Sequence, residues 1–265
     1  MSKILHGGRI ASLRKDVAKF TSSIKDDVKL SKAVVDINKA HVIMLMEQKI
    51  IKWSDGAKLL EALTKHSDIK LDSSAEDVHM ALEEAVLKEA GWEVGGNLHI
   101  AKSRNDQVAT AIRMELRKNL LSLMLSVVQM QESIAGKAEK HTKTVILGYT
   151  HLQPAQPVTF AHYLLSHFDA LGRDLQRLQE TYARVNLCPM GAAALATTSF
   201  PINRERVAEL LGFNGIVENS IDAVGSRDFI LETTAALTLI AVNLSRLAED
   251  LIVWSSPDFG VIELP

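Results

Sequence analysis

The sequence predicts an almost entirely α-helical protein, and three observations indicate this fold class. All six prolines lie at or after Pro154, so the residues before it can run in helices without that breaker. Aromatic residues make up 5% of the chain, and the apolar–polar alternation of strands is hard to find. Apolar residues recur instead at helical spacing. We therefore expect a small N-terminal helical domain, residues 1–106, followed by a long central helical bundle, residues 107–265, which assembles into a multi-subunit bundle.

Composition and charge exclude several classes of protein. The 265 residues are 47% hydrophobic and 23% charged, as in an ordinary globular protein. A formal net charge of −2, without long basic runs, gives no indication of nucleic-acid binding. No apolar stretch approaches the ~20 residues that span a bilayer. The single cysteine, Cys188, allows no internal disulfide and favours a reducing compartment, so we expect a cytoplasmic protein in which Cys188 is a buried small residue.

The N-terminal domain is predicted to begin with an extended arm over residues 1–15 and to continue in helices. Ser22 and Ser23, preceded by a threonine, fall in the first helix although adjacent hydroxyl residues have poor helix propensity. They hint at a site, but a solvated helix face explains them equally well. Asp77 and His79 fall in the first turn of a later helix, where they either complement the helix dipole or project into a cleft. The predicted helices of this domain span residues 16–28, 31–47, a short stretch after Ser54, and 75–89.

The polar segment Ser103-Arg-Asn-Asp-Gln107 leads into the longest predicted helix. Asn105 or Asp106 is a favourable N-cap for that helix. At ~1.5 Å per residue, a helix over residues 107–141 is about 50 Å long, which suits a bundle. Residues 120–128 are apolar on more than one face, which predicts burial between subunits as well as within one. Further helices are predicted over residues 158–185, after Asn203, and over residues 227–254.

A rigid, polar, non-helical segment is predicted at residues 148–157, between two of the long helices. Its two prolines fix their own φ and disfavour helix at the residues before them. Its glycine, Gly148, permits a turn that a side chain would resist. The segment therefore presents Thr150 and His151 on a loop held by helices, where binding and catalytic residues are often found. A single histidine is more often structural than catalytic, so His151 alone does not establish an active site.

Neither a metal site nor a phosphate-binding loop is indicated by the sequence. It contains no HExxH pattern and no paired cysteines. His162 and His167 are five residues apart, a spacing that does not place two ligands on one helix face. The small-residue loop at residues 191–199 lacks the lysine and the spacing of a phosphate loop.

Several polar segments together resemble the argininosuccinate lyase family of the fumarase/aspartase superfamily. The segment at residues 103–107 is similar to the first family signature, and the segment at residues 148–157 is similar to the second, which recurs across the superfamily. The resemblance covers essentially the whole chain. The 103–107 segment and a double-glycine arm point more narrowly to argininosuccinate lyases. Further local similarity is found in Leu5-His-Gly-Gly-Arg9, Glu76-Asp-Val-His79, Asn219-Ser-Ile-Asp-Ala-Val224, Arg227-Asp-Phe229 and residues 244–260.

This resemblance implies a lyase without metal or organic cofactor that reversibly eliminates fumarate from argininosuccinate to give arginine, the last step of arginine biosynthesis. It implies that His151 performs proton transfer or orients the group that does. In the family, each site is built from three subunits of a homotetramer whose long helices form a shared bundle. By the same resemblance, the residues that bind substrate or line its pocket are Ser23, Asp27, Asp77, His79, Ser103, Arg104, Asn105, Thr150 and Arg227.

The chain departs from the family pattern at two places. A third family signature, a mobile loop of the type GSSxMPxKxN that supplies the serine thought to act as base, should follow soon after Pro265. We therefore expect the general base, the last helices of the bundle and a C-terminal domain beyond the present chain. Ile100-Ala-Lys102 stands where the family pattern has Thr-Gly-Arg, and Lys102 keeps the positive charge.

Two other functions stay open from the sequence. One is a non-catalytic structural protein on the same fold, as the related δ-crystallins of the eye lens are. Such a role would not require Thr150, His151, Asn105 and Asp77, although δ-crystallins indicate that it need not erase them. The other is a sister lyase acting on adenylosuccinate, aspartate or malate, which the 103–107 segment disfavours. Substrate profiling would distinguish the three functions.

Overall fold

A computed structural model describes residues 15–67 and 75–263. Within these residues helices dominate, so the all-α fold class is confirmed, and one antiparallel strand pair is added to it. The predicted arm over residues 1–15 lies, except for Lys15, outside the described residues. In the part of the chain that is described, no helix is both long enough and apolar enough to cross a membrane.

Short 3-10 turns follow the second helix at Val28–Leu30 and the sixth at Gly96–His99. The regular elements of the described residues are α1 (Lys15–Thr21), α2 (Ile24–Asp27), α3 (Ser31–Glu47), α4 (Trp53–Lys65), α5 (Val78–Ala90), α6 (Trp92–Gly95), α7 (Arg104–Lys140), β1 (Val145–Thr150), β2 (Gln153–Thr159), α8 (Phe160–Val185), α9 (Arg204–Leu210), α10 (Ser220–Gly225) and α11 (Asp228–Ser255).

Contacts between residues divide the chain into two compact units. Unit 1 comprises the residues up to Arg117 together with Asn186–Ser226, and unit 2 comprises Lys118–Val185 and the residues from Arg227 onward. Helix α7 contributes residues to both units. The contacts thus group residues 186–226 with the N-terminal part of the chain, whereas the prediction placed them in the bundle. The domain boundary at residue 106 stays a prediction.

Unit 1 is built around α3, which is apolar over most of its surface. Val34, Ile37 and Leu45 are fully buried, and the helix packs against α4, α5 and α9. Cys188 is buried in the same core, as predicted, and burial raises the pKa of its thiol to about 12. A thiol with so high a pKa stays protonated at pH 7 and is a poor nucleophile.

The predicted helix over residues 16–28 is interrupted, and the hydroxyl residues explain why. Ser22 and Ser23 separate α1 from α2. Ser22 Oγ donates to the carbonyl oxygen of Glu76 at 3.1 Å, and the backbone N–H of Ser23 donates to the same oxygen at 2.9 Å. A serine hydroxyl can form hydrogen bonds with backbone groups outside its own helix, and these bonds compete with the helical conformation. The prediction of one continuous helix is therefore wrong, and the break ties this segment to the residues that precede α5.

Helix α7 begins at Arg104, three residues before its predicted start, because Ser103 caps it. Ser103 Oγ accepts the backbone N–H of Asn105 at 3.3 Å, and Asp106 Oδ1 accepts the backbone N–H of Ser103 at 3.1 Å. This reciprocal pair resembles a capping box, but Ser103 binds the N–H of the second helical residue instead of the third, and aspartate replaces the usual glutamate or glutamine. The prediction that Asn105 or Asp106 is the N-cap is thus corrected to Ser103.

The predicted non-helical segment at residues 148–157 forms most of a β-hairpin. Strands β1 and β2 pair antiparallel with Thr150 opposite Gln153, so His151 and Leu152 form a two-residue turn. The two prolines of β2 are tolerated because each strand of a two-stranded ribbon is an edge strand. The loop was predicted from the sequence, but its two strands were not.

Replacing Gly148 by alanine is expected to destabilise this hairpin. The register shifts between Leu147 and Tyr149, and a Cβ added at Gly148 would lie 2.7 Å from the carbonyl oxygen of Gln156. That overlap is expected to lower the free energy of unfolding by about 1–3 kcal/mol, measured by urea denaturation.

Gly136→Ala is the matched control for this change. Gly136 lies in α7, and nothing is found within 4 Å of the Cβ that alanine would add. Alanine has the better helix propensity, so this variant should gain about 1 kcal/mol. Equal stability of the two variants would contradict the close approach of the strands at Gly148.

Unit 2 pairs α8 with α11 through polar as well as apolar contacts. The hydroxyl of Tyr163 donates to Asp250 Oδ2 at 2.8 Å, and Asn243 Nδ2 donates to Asp174 Oδ2 at 2.7 Å.

Large apolar side chains on α7, α8 and α11 are nevertheless exposed within the described chain. Burial of these helices between subunits stays a prediction. The exposed side chains are Leu121, Leu125, Leu165, Leu231, Leu237, Leu239, Val242, Leu244 and Ile252.

Candidate active site

The ten predicted site residues divide between the two units. Thr150, His151 and Arg227 belong to unit 2. Hydrogen bonds and charge interactions connect many of the others within unit 1. The predicted site residues of unit 1 are Ser23, Asp27, Asp77, His79, Ser103, Arg104 and Asn105.

Asp77 connects the start of α5 to the start of α7. Its Oδ1 accepts the backbone N–H of Met80 at 2.7 Å, which caps α5, and accepts Nη1 of Arg104 at 2.8 Å. Nη2 of Arg104 lies 3.8 Å from a carboxylate oxygen of Glu83. A guanidinium group held in this way has a fixed orientation and carries further N–H groups that suit a carboxylate.

Asp27 adds a second carboxylate at the start of α5. Its Oδ2 accepts the hydroxyl of Ser23 at 2.8 Å and the backbone N–H of Val78 at 3.2 Å. Negative charge is favourable at a helix N-terminus, so both Asp27 and Asp77 stabilise this end of α5. Ser23 and Asp27 are thereby brought next to the residues that carry Asp77 and His79.

His79 is buried and lies against α7. Its Nδ1 is 3.2 Å from Oε1 of Gln107, an amide oxygen that can only accept a hydrogen bond, so Nδ1 carries the proton. Burial, followed by the positive charge of Arg104, lowers the pKa of His79 to about 4. The imidazole is therefore neutral at pH 7 and acts as a hydrogen-bonding group rather than as a cation.

The turn that starts α7 presents three kinds of donor side by side. These are the hydroxyl of Ser103, the guanidinium of Arg104 and the amide of Asn105. Asn105 is exposed, and its Nδ2 donates to the carbonyl oxygen of Ala194 at 2.8 Å. The N-terminus of a helix of 37 residues adds a favourable dipole. This arrangement can bind the carboxylate groups of a ligand.

The departure from the family pattern at residues 100–102 leaves a buried lysine. Lys102 Nζ donates to Oδ1 of Asn38. Burial lowers the pKa of Lys102 to about 8, although the charges of Glu83 and Asp106 act in the opposite direction. Ala101 has a φ of 61°, a conformation that the glycine of the family pattern would adopt with less strain. The positive charge is thus enclosed within unit 1.

Thr150 and His151 lie at the turn of the hairpin, and both are exposed. The φ of His151 is 55° and that of Leu152 is 59°, the positive values that a type I′ turn requires at both central residues. Left-handed backbone at residues other than glycine is strained and is often found at functional sites. An exposed imidazole on such a turn can exchange a proton with a bound ligand.

Arg227 occupies the N-cap position of α11 and is exposed. Its side chain belongs to unit 2, like Thr150 and His151. A cation at this position can contribute to the binding of an anionic ligand.

No metal site is found among the described residues. Residues 15–67 and 75–263 hold no group of three His, Cys, Asp or Glu side chains suited to a metal ion.

Three polar residues support this site through a burial that was not predicted, although Asp106 was named as a possible N-cap and Lys102 as a retained charge. Gln107 orients His79, Lys102 places a charge beside Asn38, and Asp106 is fully buried beneath the turn. Ser103 and Asp106 have the spacing of a capping box, so this signal was present in the sequence. The burial of Lys102 had no such local signal.

The sequence as a whole matches a known protein family. The family model described as "Lyase" matches residues 12–265. The chain belongs to this lyase family. An argininosuccinate lyase of Methanosarcina mazei is 47% identical over 268 residues, which cover 100% of this chain and 55% of that protein. An argininosuccinate lyase of Methanocaldococcus jannaschii is 48% identical over 267 residues, which cover 98% of this chain and 55% of that protein.

A solved structure of this lyase fold agrees with the sequence match. An EDDS lyase variant with bound fumarate is 37% identical to the chain with a TM-score of 0.86, and the match covers 89% of this chain and 48% of that one. The chain spans about half the length of the curated relatives it matches. Membership of the lyase family and its helical fold are therefore established for the chain.

Proposed function

We propose that the chain is part of an argininosuccinate lyase, which eliminates fumarate from argininosuccinate to give arginine. The observation that carries this proposal is identity of 47–48% to argininosuccinate lyases along essentially the whole chain. The 37% identity to an EDDS lyase supports an elimination of the same type. EDDS, the substrate in the name of that enzyme, differs from argininosuccinate. The donors at the start of α7 suit a substrate that carries carboxylates. The reverse reaction and a role in arginine biosynthesis belong to the same proposal.

The proposed reaction makes three chemical demands on the protein. A base must remove a weakly acidic proton from the carbon beside a carboxylate. Fixed donors must stabilise the negative charge that this carboxylate gains. The bond between carbon and the guanidino nitrogen then breaks, and the departing nitrogen must receive a proton. Each demand is met by groups that donate hydrogen bonds or exchange protons, so the proposal requires no cofactor.

The turn at the start of α7 is proposed to bind the substrate carboxylates. Ser103 and Asn105 would donate through hydroxyl and amide groups, and Arg104 would supply a positive charge already oriented by Asp77. Thr150 and Arg227 are proposed to add further donors to the substrate. Because these donors are set by helix ends and a strained turn, little reorganisation would be needed as charge develops.

His151 is proposed to transfer a proton or to orient the group that does. Two features support this role: the imidazole is exposed, and the backbone of His151 has the left-handed conformation of a strained turn. Asp27 and Asp77 are proposed to line the same pocket, together with Ser23. His79, which is neutral at pH 7, would serve there as a hydrogen-bonding group. The general base is proposed to lie in a loop that is not part of this chain.

A homotetramer in which three subunits build each site is proposed as the working form. The exposed leucine and isoleucine side chains of α7, α8 and α11 support this assembly, because apolar surface of this extent favours burial between subunits. Sedimentation of the complete gene product is expected to give a tetramer. A stable monomer with full activity would contradict a site shared between subunits.

Fumarate release tests the proposed function directly. The complete gene product and the 265-residue chain would each be given argininosuccinate, and fumarate would be followed by its ultraviolet absorbance. We expect fumarate from the complete product and none from the shorter chain, because the general base is proposed to lie outside it. Adenylosuccinate, aspartate, malate and EDDS would be assayed in parallel.

The outcomes separate the alternatives. Release from argininosuccinate well above the other substrates would support the proposal. Preferential release from one of the others would indicate a sister lyase. No release from any of them, by a folded tetramer, would favour a structural role.

A further inference from the structure

Asp106 is a buried carboxylate that binds three backbone N–H groups. Its Oδ1 accepts the N–H of Ser103 at 3.1 Å, while its Oδ2 accepts the N–H of Gly191 at 3.1 Å and the N–H of Ala193 at 2.8 Å. The side chain is fully buried. A carboxylate in such a place is stabilised only when its lone pairs are satisfied, and three donors do so here. Asp106 thus joins two segments that are far apart in sequence.

The second of these segments, residues 191–197, has an unusual backbone. Gly191, Ala193 and Thr197 have φ values of 86°, 53° and 62°. The left-handed region is strained for alanine and threonine, and such strain persists only where the surroundings hold the backbone in place. The hydrogen bond from Ala193 to Asp106 is one contact that holds this 191–197 loop.

The 191–197 loop in turn holds a proposed substrate-binding side chain. Asn105 Nδ2 donates to the carbonyl oxygen of Ala194 at 2.8 Å, one residue after the N–H that Asp106 binds. The orientation of the Asn105 amide therefore depends on the position of this loop. Asp106 also binds Ser103, so both neighbours of Arg104 are set by the same carboxylate.

We propose that Asp106 is a positioning residue for the lyase reaction: its carboxylate ties the 103–105 turn to the 191–197 loop and so orients Ser103 and Asn105 toward the substrate. This inference rests on the proposed function. Asp106 itself is enclosed by backbone N–H groups and acts through its two neighbours rather than on the substrate.

Asp106→Asn tests the proposal with the least change in size. An amide replaces one acceptor oxygen by an NH₂ donor, which then faces a backbone N–H instead of accepting from it. In the complete gene product we expect kcat/KM for argininosuccinate to fall by about 100-fold, the loss typical of a displacement of about 1 Å. Most of the loss should appear as a higher KM, because Ser103 and Asn105 are proposed to bind substrate before and during the reaction.

Asp174→Asn is the matched control. Asp174 is also a buried carboxylate, and it binds Arg177 and Asn243 in unit 2. Its replacement should lower the stability of the protein, but KM for argininosuccinate should stay that of the parent. If both variants lost stability and neither changed KM, Asp106 would have only a structural role and the proposal would be wrong.

Hydrogen exchange of the parent protein provides a test that needs neither activity nor a variant. The amides of Gly191 and Ala193 should exchange far more slowly than those of Leu195 and Ala196, which lie in the exposed part of the same loop. In Asp106→Asn this protection should be lost. Equally fast exchange of all four amides in the parent would contradict the hydrogen bonds from Gly191 and Ala193 to Asp106, even if the variant failed to fold.

These measurements separate the inference from the proposed function. If the Gly191 and Ala193 amides of the parent exchange slowly but no fumarate is released, the lyase proposal would be contradicted, while the hydrogen bonds from this loop to Asp106 would be supported. An active parent whose Asp106→Asn variant keeps the parental KM would contradict the positioning role alone.

Discussion

Replacing His151 by asparagine is expected to abolish turnover of argininosuccinate while leaving thermal unfolding nearly unchanged. Loss of a general acid or base lowers the rate by about 10²–10⁴-fold. Asparagine is the suitable replacement because it tolerates the left-handed backbone better than most residues, and the φ of His151 is 55°. The side chain is exposed, so little packing is lost. Fumarate release and the midpoint of thermal unfolding are the two measurements.

His162→Asn is the control for this experiment. His162 is also an exposed histidine of unit 2, at the start of α8, and we assign it no part in the site. The same change of residue type there should leave turnover near that of the parent. Near-normal activity of His151→Asn would remove the catalytic role of His151, and a large fall in its melting temperature would contradict the expectation that the exposed side chain contributes little to packing.

Acidification is expected to destabilise unit 1 strongly between about pH 6.5 and pH 3. Burial lowers the pKa of His41 to about 3 and that of His79 to about 4, whereas both start from 6.5 in the unfolded chain. Below pH 6.5 the unfolded chain therefore binds protons that the folded chain does not. As the pH falls, the free energy of unfolding decreases until the pH reaches the pKa of each histidine in the folded state. One pH unit is worth about 1.4 kcal/mol for each group, so the two histidines together lower the free energy of unfolding by about 4 kcal/mol at pH 5.

His41→Gln isolates one of these two groups. Nε2 of His41 lies 2.8 Å from the carbonyl oxygen of Ile100, and a glutamine amide can donate a similar bond without titrating. The variant should lose roughly half of the acid destabilisation, about 2 kcal/mol at pH 5, in urea denaturation at pH 7 and pH 5. His162→Gln, at an exposed position, is the control. Carboxylates titrate in the same range, so the difference between variants is the informative quantity. An unchanged pH dependence in His41→Gln would contradict a neutral buried imidazole.

The long helices could be predicted closely from the sequence. Helix α8 was expected over residues 158–185 and spans Phe160–Val185, while α11 was expected over residues 227–254 and spans Asp228–Ser255. Helical periodicity is a local property, because residues three and four apart share one face. Polar segments between the helices were therefore also located correctly, and with them the segment that carries Thr150 and His151.

The hairpin and the break between α1 and α2 could not be predicted in the same way. The strands contain two prolines and little apolar alternation, so nothing within β1 or β2 alone indicates their pairing. The break at Ser22 and Ser23 depends on the carbonyl oxygen of Glu76, which is more than fifty residues away. A serine that leaves a helix needs a partner elsewhere, and the sequence does not identify that partner.

By itself, the sequence determined the helical class, the positions of the polar segments and the residue types offered to a substrate, because these depend on local pattern and on chemistry. Only the tertiary structure decided which polar groups are buried together. Asp106 meets Gly191 and Ala193 across 85 and 87 residues of chain, and Lys102 meets Asn38 across 64. Burial and the resulting shifts in pKa come from packing between segments distant in sequence, which no local pattern specifies.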